Sequence, residues 1–131
     1  ERVMGWDIGD SGFKIVLASS VPDVVREFIR KDVDAFLAEQ QMKRDDIQQW
    51  VCHPGGPKIL TAFEECLELP EDALAKTWKS LKEVGNLSSA SVLLVLGDTL
   101  EEEKPSANDH GMLMAMGPGF CSELVLLRWN P

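Results

Sequence analysis

Residues 50–60, WVCHPGGPKIL, decide the fold. The apolar, β-rich run IQQWVCH at 47–53 predicts a strand that stops at His53. Pro54, Gly55 and Gly56 break it, and Pro57, with φ preset for a first helical turn, opens a helix carrying Ile59, Leu60, Phe63 and Leu67 on one face. A chain that ends a buried run on an ionisable imidazole and follows it with two glycines has placed chemistry, or at least polarity, at the end of a sheet.

Toward the N-terminus, VMGWDI and FKIVLA are β-rich and separated by the turn composition GDSG, so residues 3–18 predict a hairpin. A long helix follows, with Ser20 as cap and Pro22 and Asp23 in its first turn. Val21, Val24, Val25, Phe28, Ile29, Val33, Phe36 and Leu37 recur at helical spacing, and the helix should stop near Gln40. Beyond the central stretch, a helix over roughly 71–84 carries Leu74, Trp78 and Leu81 and is broken by GN at 85–86. Residues 87–100 are ambiguous between a buried strand and a helix that is apolar all round. GMLMAM and CSELVLLRW predict two strands joined by GPGF. The order ββ, α, β, α, α, α, ββ implies an α/β domain: one mixed sheet of five strands with helices packed on it.

At 131 residues the chain is one domain with enough length for a real core. Its hydrophobic share of 44% and charged share of 27% are those of a globular protein. A net charge of −9 with a pI near 4.6 argues against nucleic acid or an anionic membrane as partner. The longest apolar run, ASVLLVL at 90–96, is too short to span a bilayer. Cys52, Cys66 and Cys121 are odd in number and lack C-x-x-C spacing, which fits reduced thiols in a cytoplasmic protein. The chain opens on ERVMGWDIG as if in mid-strand, which points to a piece of something longer.

Two motifs carry little. GDSG at 9–12 occurs around the nucleophile of trypsin-like proteases, but here it sits in a hairpin turn of a helix-rich chain. His53 and His110 are the only histidines and have no partner at ligand spacing, so no metal site is expected.

Taken alone, His53 is a strand-end histidine bonded to backbone. Its companions change the weighing. The glycines after it let backbone or ligand approach with no Cβ in the way. Asn86 stands at a helix start, where its amide is an apt cap and equally an apt donor. GPG at 117–119 is a second stretch with two glycines between strands. These stretches have structural roles available (helix start, cap, turn), yet together they can wall one pocket. An imidazole N–H and a carboxamide N–H aimed at one spot cradle a developing oxyanion, such as the enolate left when a malonyl thioester loses carbon dioxide. The same imidazole can hold a cysteine as its attacking thiolate.

WVCHPGGPKIL, GNLSSASVLLVL and GPGF, in this order, resemble the C-terminal half of a type III polyketide synthase of the chalcone synthase family, within the thiolase-fold condensing enzymes. The resemblance covers essentially the whole chain. Relatives that condense acyl-CoA with malonyl-carrier protein carry H-Q-A-N where this chain has HPGG. The resemblance implies half of a thiolase-type fold, with 87–100 as the helix between two sheets. It implies that His53 and Asn86 are catalytic: they bind the malonyl thioester carbonyl and stabilise the enolate, and His53 pairs with a cysteine thiolate. Ser88 then belongs to a cyclisation pocket, Gly117, Pro118 and Gly119 to the pocket floor, and Lys58 to the region of the pantetheine arm.

Two departures stand out. The nucleophilic cysteine of the family lies in the N-terminal half, and none of Cys52, Cys66 or Cys121 falls at its position. Ile15 stands where the family often has a gatekeeping phenylalanine, which favours an aliphatic acyl starter over an aromatic one. The expected partners are acyl-CoA and malonyl-CoA, the chain's own N-terminal half and a second copy in a homodimer. No cofactor is expected beyond the coenzyme A thioesters that are substrates. The alternatives are a ketoacyl-carrier-protein synthase III-like enzyme, disfavoured by HPGGP, and a non-catalytic thiolase-fold partner subunit.

Overall fold

The computed structural model describes residues 3–130. Strands β1 (Met4–Gly9) and β2 (Gly12–Leu17) form the expected hairpin, closed at Gly9 and Gly12. Helix α1 (Val21–Glu39) follows, then a 3-10 turn (Arg44–Asp46), β3 (Gln49–Cys52), α2 (Pro57–Leu67), α3 (Ala75–Glu83), α4 (Ala90–Asp98), a π-helical turn (Thr99–Glu103), β4 (His110–Gly117) and β5 (Cys121–Arg128). Among the described residues no helix is long and apolar enough to cross a membrane.

The strands make two sheets, not the single five-stranded sheet that the element order implied. β1 and β2 pair only with each other, while β3, β4 and β5 form a mixed sheet with β3–β4 parallel and β4–β5 antiparallel. The reason is local. The N–H of Gly119 donates to the carbonyl of Met4 at 3.1 Å, but it does so from the β4–β5 turn, where Pro118 has no N–H with which to extend a ladder.

Alternation along β3 sets the layers of the larger sheet. Trp50 and Cys52 face one side and join Met112 and Met114 of β4 against Val25, Ile29, Val33 and Leu37 of α1 and Leu60, Phe63 and Leu67 of α2. Val51 faces the other side and meets Val92 and Val95 of α4. A strand covered on both faces is apolar where it is covered, which is why Trp50, Val51 and Cys52 follow one another with no polar residue between them. Each fully buried side chain of this kind contributes about 1.5–3 kcal/mol of transfer free energy. Across the outer surfaces, Arg26 bridges to Glu65 and Arg30 to Glu68, tying α1 to α2.

Three local expectations shift. Ser20 precedes α1 but makes no side-chain cap; its carbonyl accepts from Asp23 and Val24 instead. The third helix begins at Ala75 rather than near 71, because Asp72 takes a positive φ of 63° that ends any helical run from Pro70. The ambiguous segment is helical, as the family resemblance implied, but it starts at Ala90, after Ser88 adopts a φ of 57°. α4 is not buried all round: Ser91, Val92 and Val95 point inward, while Leu93 and Leu94 are exposed.

Candidate active site

His53 is the first residue past the end of β3. Its N–H donates to the Met114 carbonyl at 2.9 Å, so it keeps the sheet register one step beyond the strand. Its own carbonyl accepts from Gly55 N–H at 2.8 Å, which folds the chain back sharply. The two glycines differ in purpose. Gly56 has a φ of 149° with nothing within 4 Å of a would-be Cβ, so backbone conformation demands it. A Cβ on Gly55 would rest 3.6 Å from His53 Cδ2, an ordinary contact, so the space beside the ring is usable rather than crowded. His53 is half-buried, and that burial lowers its pKa below the ordinary imidazole value, favouring the neutral ring.

Asn86 reaches the same place from another element. It lies past the C-terminus of α3, where Gly85 takes a φ of 86° to end the helix. Its Nδ2 donates to the Gly55 carbonyl at 3.5 Å, bringing the amide to the loop that carries His53. Its Oδ1 accepts from Ser88 N–H at 2.9 Å, which shapes the turn into α4. Asn86 therefore organises that turn, while Ser89 is the residue preceding the helix. Leu87 N–H donates to Ser91 Oγ at 2.6 Å and completes the turn. The structure thus places His53, Asn86 and Ser88 around one loop, with Lys58 exposed in the first turn of α2 beside it.

Gly117, Pro118 and Gly119 share the edge. Because β3 and β4 are parallel, their C-terminal ends coincide, and in sheets of this type that edge is where ligands bind. Gly117 lies three residues beyond Met114, the residue bonded to His53, or about 10 Å along the strand. Gly119 and Phe120 both have positive φ, 86° and 54°, in a three-residue turn. Ile15 stands apart: it is on the small sheet, paired across strands with Trp6, and 49% exposed. Its sheet joins the rest through the Met4–Gly119 bond, through Val3 and Met4 packed on the core, and through the short turn into α1.

Cys52 and Cys66 are unsuited to nucleophilic work. Cys52 is fully buried, and burial pushes its thiol far above the usual range; burial raises Cys66 as well. Two surface clefts lie away from His53 and Asn86. One is lined by Glu64, Leu69, Pro70, Asp72 and Trp78, the other by Gln41, Met42, Gln48 and His110.

One residue escaped sequence reasoning. Thr77 of α3 is buried, and its Oγ1 donates to the carbonyl of Cys52, the residue before His53, at 3.3 Å. The signal was a hydroxyl on the apolar stripe of α3, three residues after Leu74 and four before Leu81.

Comparisons with known proteins agree with this fold. Residues 1–131 match the family described as chalcone and stilbene synthases, C-terminal domain. The chain is 54% identical over 129 residues to 1,3,6,8-tetrahydroxynaphthalene synthase of Streptomyces peucetius subsp. caesius, covering 98% of this chain and 34% of that protein. It is 35% identical over 124 residues to 3,5-dihydroxyphenylacetyl-CoA synthase of Amycolatopsis orientalis, covering 95% and 34%. The crystal structure of 1,3,6,8-tetrahydroxynaphthalene synthase from Streptomyces coelicolor, a bacterial type III polyketide synthase, superposes with a TM-score of 0.92 at 27% identity, covering 100% of this chain and 37% of that one. The chain spans about a third of the length of these relatives. It belongs to the chalcone and stilbene synthase family, as that family's C-terminal domain.

Proposed function

We propose that this chain is the C-terminal part of a cytoplasmic type III polyketide synthase, an acyltransferase that extends an acyl-CoA with malonyl-CoA and cyclises the product. The carrying observation is the hydrogen bond from the Asn86 amide to the Gly55 carbonyl, which brings a carboxamide to the loop that carries the His53 imidazole. In the proposed step the malonyl group loses carbon dioxide as its C–C bond breaks. The electron pair passes to the thioester oxygen as an enolate, held by the N–H groups of His53 and Asn86. The enolate carbon then attacks the acyl thioester carried by a cysteine in the N-terminal part, forming a C–C bond and expelling the thiolate. A half-buried, neutral His53 suits this role, since a neutral imidazole still offers one N–H. Ser88 and the 117–119 turn line the pocket in which the product cyclises, Lys58 lies along the pantetheine arm, and Ile15 stands at the entry for the starter.

The exposed apolar residues Leu87, Leu93, Leu94 and Leu100 support a covering N-terminal part, with homodimer formation as the assembled state. Val92 does not belong to that outer face, because it is buried against Val51 and Val95. The test is Asn86→Ala in the full-length protein. Malonyl-CoA decarboxylation should fall roughly a hundredfold or more while acylation by the starter continues. Decarboxylation at the wild-type rate refutes the oxyanion role.

A further inference from the structure

Asn86 lies beyond the end of α3, so whatever fixes α3 also fixes the amide. The 3.5 Å bond to Gly55 is long, and the amide's shorter bond, from Ser88 N–H at 2.9 Å, ties it only to its own turn. The strand before His53 is firmly held on its other side: Gln49–Cys52 pair with Gly111–Met114, and His53 N–H continues the ladder to Met114. α3 is tied elsewhere by the Trp78 indole N–H, which donates to Glu64 at 2.7 Å, and by Lys76 and Lys79, which pair with Glu102, but these contacts lie away from β3. Between α3 and the strand stands the buried Thr77 hydroxyl, bonded to the Cys52 carbonyl at 3.3 Å.

From Thr77 to Glu83, the last residue of α3, the lever measures about 9 Å at helical rise, so a tilt of about 6° at the pivot displaces the turn that carries Asn86 by about 1 Å. A displacement of that size is enough to cost one to two orders of magnitude in rate at a reacting centre. We propose that Thr77 is a positioning residue: its hydroxyl pins α3 to the end of β3 and so sets the separation between the Asn86 amide and the His53 imidazole. This role rests on the oxyanion function given to that pair above.

The experiment compares Thr77→Val, Thr77→Ser, Asn86→Ala and the Thr77→Val/Asn86→Ala double variant of the full-length protein in malonyl-CoA decarboxylation. Thr77→Val keeps the side-chain volume and removes the donor. It should lower kcat about tenfold with KM for malonyl-CoA within about twofold. Thr77→Ser, which keeps the hydroxyl, should stay within about threefold of the wild type, a restoration by the donor alone. In the Asn86→Ala background, where there is no amide left to position, Thr77→Val should cost nothing further. If Thr77→Val does not fold, Thr77→Cys, of similar size with only a weak S–H donor, takes its place with the same expected loss. An equal loss from Thr77→Val in both backgrounds overturns the positioning role, as does wild-type kcat in Thr77→Val when Asn86→Ala is strongly impaired. Wild-type decarboxylation by Asn86→Ala overturns the oxyanion function itself, and the positioning role with it.

Discussion

Gly111 and Trp129 give the sharpest test of how the central sheet is built. Gly111 is buried in β4, paired with Gln49 on one side and Leu127 on the other. Trp129 lies two residues past Leu127, the diagonal neighbour across the antiparallel pair, and its indole covers the glycine. A Cβ built on Gly111 would overlap two ring carbons of Trp129 and sit 3.3 Å from the Gln49 carbonyl oxygen. The backbone contact leaves the strand little room to retreat, so in Gly111→Ala the indole must swing off. Returning roughly 60–100 Å2 of ring surface to water costs about 1.5–2.5 kcal/mol at about 25 cal/mol per Å2. Urea unfolding of the full-length protein, followed by tryptophan fluorescence, should show a midpoint lowered by that amount of stability with m unchanged. Trp129→Leu, which clears the space, should remove most of the penalty when combined with Gly111→Ala. A loss below about 0.5 kcal/mol in the single variant, or an undiminished loss in the double, refutes the covering role of the indole.

Burial holds the His53 pKa below its usual value of 6.5, so the unfolded chain takes up a proton before the folded one does on acidification. The stability linked to this group is complete above 6.5 and declines as pH falls toward the lower folded-state value. His53→Gln should flatten that limb, and urea midpoints that run parallel for wild type and variant between about pH 8 and about pH 5 refute it. At Ile15, a saturated medium- or long-chain acyl-CoA should give a higher kcat/KM than coumaroyl-CoA, and Ile15→Phe should narrow the preference; equal turnover of both starters by the wild type removes its basis. The 131-residue chain expressed alone should self-associate through Leu87, Leu93 and Leu94, whose exposures are 52, 63 and 42%. A stable monomer in sedimentation at micromolar concentration refutes that.

How much of this was written in the sequence depends on how local each feature is. α1 was legible because Val21, Val25, Ile29, Val33 and Leu37, the residues it buries, repeat at helical spacing. The strand ending at His53 was legible because glycine and proline interrupt it with no ambiguity, and the hairpin because GDSG separates two β-rich runs. The number of sheets was not, since whether β1 pairs with a distant strand depends on contacts remote in sequence. The start of α4 was misplaced because Ser88 takes a left-handed conformation that its side chain does not announce. For the candidate site, His53 and Asn86 were singled out by residue type and neighbours. The bond between the Asn86 amide and the Gly55 carbonyl appears only once α3 is folded against β3. Thr77 was passed over because a threonine on an apolar stripe looks like filler until its donor finds Cys52.

The separation of the small sheet from the large one has a consequence for descent with change. Beyond its root at Val3 and Met4, which pack on the main core, and its turn at Gly12, the β1–β2 ribbon needs only alternating residues able to pair with each other, as Trp6 does with Ile15 and Ile8 with Phe13. No rung of the ladder that carries His53 comes from it. Substitutions in the ribbon can accumulate without being tested against the register of β3, β4 and β5. Two of the five strands in such a domain are thus free to drift toward new surfaces at little cost to folding, while the other three stay under the strict selection that a packed, two-faced sheet imposes.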